Sequence, residues 1–201
     1  MNSAPPDPSN LEDLALMKKV AQRDEQAFED LVRKYERQIV STISRMTNQS
    51  PDTEDLAQEV FVRLWKSAPR YQASAKFTTF LFTIARNLVF NYSGKKSRHK
   101  EQSLEAYEQD NPHLTPRTAD SSPDRDLEHL ELQQRVDAAI ASLPEKQRLA
   151  VILRQQEKLP YEELAVVLEL SIPAVKSTLF RARNSLREKL QSYLTDKPVE
   201  P

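Results

Sequence analysis

The sequence predicts an all-α protein in which a flexible acidic linker joins two small helical domains. Three observations predict this class. Apolar residues recur every three to four positions through most of the chain, which is the spacing of amphipathic helices. The 201 residues include one Gly and no alternating apolar run bounded by turns, so strands are not expected. The stretch 101–126 is acidic, rich in Pro and Ser, and without periodicity, which is typical of a linker.

Composition narrows the class of function. The chain has no Cys, which excludes disulfides, thiolate metal sites and Cys nucleophiles and fits a reducing compartment such as the cytoplasm. No run approaches the roughly 18 apolar residues that span a bilayer, and the first residues lack a signal-peptide pattern, so no direct membrane insertion is expected. The net charge is only -1, but basic residues cluster in two segments, at 86–100 and 176–189.

The N-terminal half is predicted to be a four-helix domain over 11–100, after a disordered tail at 1–10. The spacing predicts helices near 11–22 and 26–47. A third helix is expected over about 51–67, because Ser50 can cap it and Pro51 suits a first helical position. After a connection, a long helix begins at about residue 77 with an apolar half and ends in a basic half.

The C-terminal half is predicted to be a second helical domain over 127–194, followed by a tail at 195–201. A helix from residue 127 precedes two more that begin at Pro144 and Pro160. The stretch "LPYEELAVVLELSIPAVKSTLFRARNSLREKL" then gives two short amphipathic patterns separated by residues 169–171. Ser171 can cap the second of these helices, and together they predict a helix-turn-helix.

The second helix of that motif has two distinct faces. At about 100° per residue, Val175, Leu179 and Ala182 point inward. The remaining residues form a polar, basic surface: Pro173, Ser177, Arg181 and Asn184, with Phe180 beside them and Lys176, Arg183 and Arg187 on one flank. Arg and Asn can read base edges and flanking cations can neutralise phosphates, so DNA binding is favoured over an ordinary solvated face, which would mix acids and bases.

A second surface is predicted where aromatic residues run into the basic end of the long helix. The aromatic residues are Tyr71, Phe77, Phe80, Phe82, Phe90 and Tyr92, and the polar ones are Lys76, Thr78, Thr79, Asn87, Asn91, Lys95 and Arg98. Any single ring is explained by core packing. Together, rings and cations are typical of a surface for single-stranded nucleic acid, on which unpaired bases stack.

Three stretches resemble one known family. "TEDLAQEVFVRLW", "FTTFLFTIARN" and "LPEKQRLAVILRQQEKLPYEELAVVLELSIPAVKSTLFRARNSLREKL" are similar, in this order, to signature segments of the extracytoplasmic-function (ECF) group of bacterial sigma factors, in the sigma-70 family. The resemblance covers roughly 25–100 and 130–192. It implies a transcription initiation factor that binds core RNA polymerase and directs it to promoters, with region 2 at 11–100 and region 4 at 127–194.

The resemblance also assigns roles to residues. Docking on the coiled coil of the largest polymerase subunit would involve Asp55, Leu56, Gln58, Glu59, Phe61, Val62, Leu64 and Trp65. The minus-ten element would meet Tyr71, Lys76, Phe77, Thr78, Thr79, Phe80, Asn87, Asn91, Lys95 and Arg98. The minus-35 element would meet Pro173, Lys176, Ser177, Phe180, Arg181, Arg183, Asn184 and Arg187. One departure is Glu169, which occupies a turn position that many members fill with Gly.

Further partners are implied by the same resemblance. The C-terminal domain is expected on the flap region of the polymerase, the linker near the RNA exit path, and promoter DNA in both duplex and single-stranded form. An anti-sigma factor is expected as well, and it could hold this cytoplasmic protein at the membrane. No metal, cofactor or small-molecule substrate is expected.

Three alternatives from other classes remain. An enzyme is disfavoured because the chain has no phosphate-cradling Gly loop and its paired acids lie at helix starts. A ligand-sensing helix-turn-helix regulator explains the C-terminal half but not the surface at 71–98. A helical adaptor would leave both basic clusters without a role.

Overall fold

The computed structural model describes the backbone of residues 8–73, 75–102 and 123–195, and side chains over 9–73, 75–96 and 131–191. The described residues form only helices, which confirms the all-α prediction. The elements are α1 (Pro8–Ala21), α2 (Glu25–Met46), α3 (Thr53–Ser67), a 3-10 turn (Ala68–Arg70), α4 (Phe77–Gln102), α5 (Pro123–Ala141), α6 (Glu145–Gln155), α7 (Tyr161–Leu168) and α8 (Ile172–Thr195).

Helix α2 is the centre of the N-terminal half. The Asp24 side chain accepts a hydrogen bond from the Ala27 N–H at 3.0 Å and so caps its first turn. Its buried face carries Leu31, Ile39 and Ile43, all fully buried, at the spacing of helical turns. Helices α1, α3 and α4 pack against α2, and α3 also packs on α4. This arrangement is the four-helix unit that the sequence predicts.

A buried carboxylate fastens α1 to α2. Asp13 is 1% exposed, yet it accepts hydrogen bonds from Lys34 at 2.6 Å and from the Tyr35 hydroxyl. Burial of the ring, together with this carboxylate, raises the pKa of Tyr35. The negative charge is thus paired and hydrogen-bonded, as a buried charge must be.

The start of α3 differs from the sequence-based expectation. Ser50 does not cap a helix that begins at Pro51; the helix begins at Thr53, preceded by Asp52. The Ser50 hydroxyl lies 2.9 Å from the Tyr92 hydroxyl of α4, and its carbonyl accepts from the Thr53 hydroxyl at 2.6 Å. A tertiary contact therefore occupies the group that would otherwise cap the helix.

The C-terminal half consists of α5 to α8. Pro144 and Pro160 immediately precede α6 and α7, in agreement with the predicted starts. Helix α6 packs on α7 and α8, and α5 packs along α8. Leu153 and Leu164 are fully buried at the centre of this half. Helix α5 begins at Pro123 and α4 ends at Gln102, so both extend into the stretch predicted as linker; residues 103–122 lie outside the described residues.

The two halves pack directly against each other. Helix α4 packs against α7, and α2 packs against α6. Met46, Phe82 and Val89 of the N-terminal half line a small cavity together with Leu149 of α6. The buried residues of both halves form one continuous cluster.

Candidate nucleic-acid and partner interfaces

The helix-turn-helix has the predicted turn. Helix α7 ends at Leu168, and Glu169 follows in the left-handed conformation with φ 53° and ψ 50°. The Leu170 N–H then donates to the Ala165 carbonyl at 3.0 Å, which closes the helix end as a left-handed cap does. The Ser171 hydroxyl accepts from the Ala174 N–H at 3.3 Å, so Ser171 caps α8 as expected.

The recognition face of α8 is exposed. Val175, Leu179 and Ala182 are buried against the rest of the domain, as the periodicity predicts. Phe180, on the outer side, is 64% exposed, which is unusual for a ring of this size. The predicted minus-35 residues that are exposed are Pro173, Lys176, Ser177, Phe180, Arg181, Arg183 and Arg187. Asn184 is half-buried and lies 3.5 Å from Arg187.

The predicted aromatic surface divides between core and periphery. Phe77 is fully buried, with its ring centroid 5.3 Å from that of Tyr35, and Phe82 is 1% exposed. Tyr71 and Phe80 pair at the edge, with centroids 4.8 Å apart, and both are half-buried. The Tyr71 hydroxyl is buried without a hydrogen-bond partner among the described atoms, and its burial raises the pKa of the phenol. Phe90 and Tyr92 of the predicted surface are also half-buried.

Two predicted minus-ten residues contact the C-terminal half. Lys76 lies 2.9 Å from one oxygen of Glu163 in α7, and the Thr79 hydroxyl donates to the other oxygen at 3.0 Å. Thr79 is 1% exposed. Thr78 is half-buried and lines a polar cavity of about 180 Å³ between the two halves.

The basic half of α4 presents a polar stripe. Asn87, Asn91 and Lys95 are spaced four residues apart and are all exposed. Beneath them Arg86, 6% exposed, forms an ion pair with Glu169 of the helix-turn-helix turn. Arg98 lies in α4, but its side chain falls outside the described residues.

A groove between α2 and α3 is lined by three of the predicted polymerase contacts, Gln58, Phe61 and Val62. Its volume is about 920 Å³, and its apolar lining includes Phe28, Val32, Phe61 and Val62. Val62 is 41% exposed, an apolar side chain open to solvent. Among the predicted contacts, Asp55 and Gln58 are exposed, Leu56, Glu59 and Trp65 are half-buried, and Leu64 is fully buried in the core.

Outside the groove, charged and aromatic side chains of α3 form local pairs. Arg63 donates to Glu59 at 2.9 Å, and this hydrogen bond lowers the pKa of the Glu59 carboxyl. The Trp65 ring packs edge-on against Phe28, with centroids 5.0 Å apart, and lies 5.0 Å from the Arg23 guanidinium. The groove itself combines apolar side chains with the charged residues Glu36, Arg37 and Glu54, which is the composition of a protein-docking surface.

Sequence reasoning missed the residues that join the two halves. Glu157, Glu163, Glu169 and Arg86 were not among the candidate site residues, although each makes a side-chain contact across the boundary. The one available signal was Glu169, a non-Gly residue at a left-handed turn.

The described residues contain neither a metal-binding cluster nor a membrane-spanning helix. No group of three or more His, Asp or Glu there could hold a metal ion. Across the same part of the chain, no helix is both long and apolar enough to cross a membrane.

An exposed basic recognition helix behind a helix-turn-helix turn defines a DNA-binding protein of the all-helical class. Residues 31–99 match the family Sigma-70 region 2, and residues 133–186 match the family Sigma-70, region 4. The ECF RNA polymerase sigma-E factor of Escherichia coli strain K12 is 33% identical over 186 residues, covering 92% of this chain and 97% of that protein. The RNA polymerase sigma-H factor of Pseudomonas aeruginosa is 31% identical over 191 residues, covering 92% and 97%.

Solved structures share the fold. The sigma factor RpoE of Bartonella quintana, in complex with the anti-sigma factor NepR, has a TM-score of 0.68 at 23% identity, covering 82% of this chain and 96% of that one. CnrH, in complex with the cytosolic domain of CnrY, has a TM-score of 0.66 at 22% identity, covering 90% and 98%. The chain therefore belongs to the ECF group of RNA polymerase sigma factors, in the sigma-70 family. It is a transcription initiation factor that directs promoter-specific initiation. The sigma-factor interpretation of the sequence is thereby confirmed over the ligand-sensing regulator and the adaptor.

Proposed function

We propose that this sigma factor docks on core polymerase through the α2/α3 groove, captures the melted minus-ten strand with region 2, and reads the minus-35 duplex with α8. The observation that carries the proposal is the exposed face of α8, where Glu188 is the only acid between residues 172 and 191. A helix of this charge behind a helix-turn-helix turn fits a major groove.

Readout of the minus-35 element divides between bases and phosphates. Ser177, Phe180 and Arg181 lie on the outermost part of α8, from which side chains reach base edges, with Phe180 suited to thymine methyl groups. Lys176, Arg183 and Arg187 flank them and neutralise phosphates, with Pro173 and Asn184 at the margins of the contact.

Capture of the minus-ten strand uses the edge of region 2. A base that leaves the stack meets the Tyr71–Phe80 pair, while Lys76, Thr78 and Thr79 supply a cation and hydroxyls for its phosphate or its edge. Asn87, Asn91, Lys95 and Arg98 face the upstream duplex. Phe77 supports this surface from the core through its contact with Tyr35.

Docking on the polymerase uses the groove between α2 and α3. Phe61 and Val62 provide the apolar contact, and Asp55, Gln58 and Glu59 provide polar contacts. Leu56 and Trp65 extend the apolar contact, and Leu64 holds α3 in place from the core. We assign the partner as the coiled coil of the largest subunit, and assign region 4 to the flap.

The remaining assignments follow from the family. We propose region 2 at 11–100, region 4 at 127–194, and between them a linker at 101–126 that passes near the RNA exit path and into which α4 and α5 extend. The tails are proposed at 1–10, although α1 already begins at Pro8, and at 195–201. We further propose an anti-sigma factor as a partner and the cytoplasm as the site of action. A membrane-bound anti-sigma factor would hold the protein at the membrane. Two similar folds were solved in complex with a partner chain, which supports the first of these proposals.

Run-off transcription tests the proposal. Purified bacterial core polymerase is mixed with genomic promoter fragments, with and without this protein. New discrete start sites that require the protein are expected, and alignment of their upstream sequences gives both promoter elements. The variant Val62→Asp serves as the docking control, since a charge in the apolar groove should remove both transcription and co-purification with polymerase. Absence of any protein-dependent start site would contradict the proposal.

A further inference from the structure

Three carboxylates of the C-terminal half contact the N-terminal half. They are Glu157, which follows α6, Glu163 in α7, and Glu169 in the turn before α8, and we refer to them as the interdomain carboxylates. Each contacts a different part of the N-terminal half: Glu157 contacts α2, Glu163 contacts the start of α4, and Glu169 contacts the middle of α4.

Glu163 occupies the groups that region 2 offers to a DNA strand. Its side chain is 14% exposed, with one oxygen 2.9 Å from the Lys76 ammonium. The other oxygen accepts the Thr79 hydroxyl proton at 3.0 Å. A carboxylate held between an ammonium group and a hydroxyl makes the contacts that a strand phosphate makes in the same place. The two ligands therefore exclude each other.

Glu169 forms a second contact between the halves, from a backbone conformation that is unfavourable for Glu. A non-Gly residue in the left-handed region is disfavoured by contact between its Cβ and the backbone. The carboxylate nevertheless pairs with Arg86, whose side chain is 6% exposed, and this contact lowers the pKa of Glu169. A buried guanidinium needs a partner, and Gly at this turn could not supply one.

Glu157 forms the third contact between the halves, with side chains of α2. It accepts hydrogen bonds from the Gln38 side chain and, at 3.4 Å, from the Thr42 hydroxyl, which is itself buried. Glu157 and Glu163 both line the polar cavity of about 180 Å³ between the halves.

The minus-35 face is exposed in the same arrangement. Phe180 is 64% exposed, and Ser177 and Arg181 are exposed beside it. The interdomain carboxylates precede α8 in the chain and contact α4 and α2. Packing of the halves therefore pairs the Lys76 ammonium with Glu163 and buries Thr79, while the recognition helix stays exposed.

We propose that this chain has a self-inhibited closed state, in which Glu163 occupies Lys76 and Thr79 of the minus-ten surface of region 2. In this state Glu169 fixes the two halves together through Arg86, and the recognition face of α8 stays available to duplex DNA. The proposal rests on the proposed function, because it assumes that Lys76 and Thr79 serve a DNA strand. No partner chain is required for inhibition. A DNA strand binds only when the halves separate. The apparent affinity for single-stranded DNA is therefore the affinity of the open state multiplied by the fraction of molecules that are open.

The first test compares two DNA probes on the full chain. Binding of a fluorescent single strand of random sequence and of a random duplex is measured by anisotropy for the wild type and for Glu163→Gln/Glu169→Gln. A closed population of about 90% predicts that the double variant binds the single strand about tenfold more tightly, with a duplex affinity close to that of the wild type. The control Glu131→Gln/Glu162→Gln removes the same charge at two exposed positions and should match the wild type on both probes.

The second test measures the separation of the halves. Because the chain has no Cys, Lys18→Cys/Glu188→Cys creates the only two sites for a dye pair, on exposed positions of α1 and α8. The wild type should give high energy transfer without any partner, and the Glu163→Gln/Glu169→Gln background should give lower transfer. Equal transfer in the two backgrounds, or equal single-strand affinity, overturns the closed state.

Failure of this inference and failure of the proposed function can be told apart. If protein-dependent start sites appear in run-off transcription while the two backgrounds bind the single strand equally, only self-inhibition is wrong. If no start site appears, the proposed function fails, and the dye-pair measurement still decides whether the halves close.

Discussion

The two surfaces that we propose bind DNA differ in whether their residues are already engaged within the chain. The recognition face of α8 is complete: its inward residues are buried, and its outer residues are exposed. The minus-ten surface of region 2 is engaged, with Lys76 and Thr79 both contacting Glu163 of the other half. Duplex DNA can be read by a preformed helix, whereas an unpaired strand exists only after melting, so a surface for it can stay covered until then.

The largest expected effect comes from disrupting the core that supports the helix-turn-helix. Leu164 is fully buried in α7, and Leu164→Ala should lower the free energy of unfolding by about 2–5 kcal/mol through lost contacts and a cavity. Denaturant unfolding followed by circular dichroism measures this loss, and duplex binding should fall with it. Val166→Ala, at a 53% exposed position of the same helix, should change stability by no more than about 0.5 kcal/mol. A stable Leu164→Ala protein would contradict this account of the motif.

Two Arg residues on α8 should separate base reading from phosphate binding. Arg181→Ala is expected to cost about 1–3 kcal/mol of discrimination at one base pair of the minus-35 element. Arg183→Ala should weaken binding to all duplexes and reduce the slope of log affinity against log salt by about 1. Competition binding with single-base variants at several salt concentrations measures both. If the two variants behaved alike, the assignment of outer and flanking roles would be wrong.

Substitutions at Glu169, in the left-handed turn, test whether its ion pair with Arg86 limits single-strand binding. Glu169→Gly and Glu169→Gln both remove the ion pair with Arg86, but only Gly relieves the backbone conformation at φ 53°. The Gly variant should therefore be more stable than the Gln variant by about 1 kcal/mol. Both should tighten single-strand binding to the same extent. If only one of them did so, the effect would come from the turn and not from the ion pair.

Local structure could be predicted from the sequence because its causes are local. The inward positions Val175 and Leu179, the cap at Ser171 and the starts at Pro144 and Pro160 all follow from helical spacing and from groups a few residues apart. The shift of the α3 start has a different origin, since Ser50 contacts Tyr92 across the domain. A local rule cannot anticipate a partner that is distant in the chain.

The contacts between the halves could not be predicted for the same reason. Glu163 at a helix start is explained by the helix dipole, and nothing in the sequence indicates that it contacts Lys76 and Thr79. The roles of the candidate site residues remain predictions. Phe77 and Thr79 are buried, which their spacing in the sequence did not indicate. Glu169 stands out in the sequence as a departure at a turn position where many members have Gly, but nothing in the sequence identified Arg86 as its partner.

The smallest expected effect concerns Glu157 and acidity. Burial raises the pKa of its carboxyl above the ordinary value of 4.5, and the hydrogen bonds from Gln38 and Thr42 oppose this shift only in part. A carboxyl whose pKa is raised on folding favours the folded state below pH 4.5, and that contribution is lost as the pH rises through the folded-state value. Glu157→Gln keeps the neutral form at every pH, so its stability relative to the wild type should increase between about pH 4 and pH 7, by on the order of 0.5 kcal/mol for a half-buried group.

Thermal unfolding of the two proteins across this range measures the difference, in which the titration of all other acids cancels. Glu162→Gln, at an exposed position of α7, removes one acidic charge from the same half and provides the comparison. A Glu157→Gln protein that lost stability relative to the wild type as the pH rose would mean that the carboxylate is stabilised where the halves meet. Glu157 would then hold the closed state as an ion, as Glu163 and Glu169 do, and opening of the halves would become easier in acid.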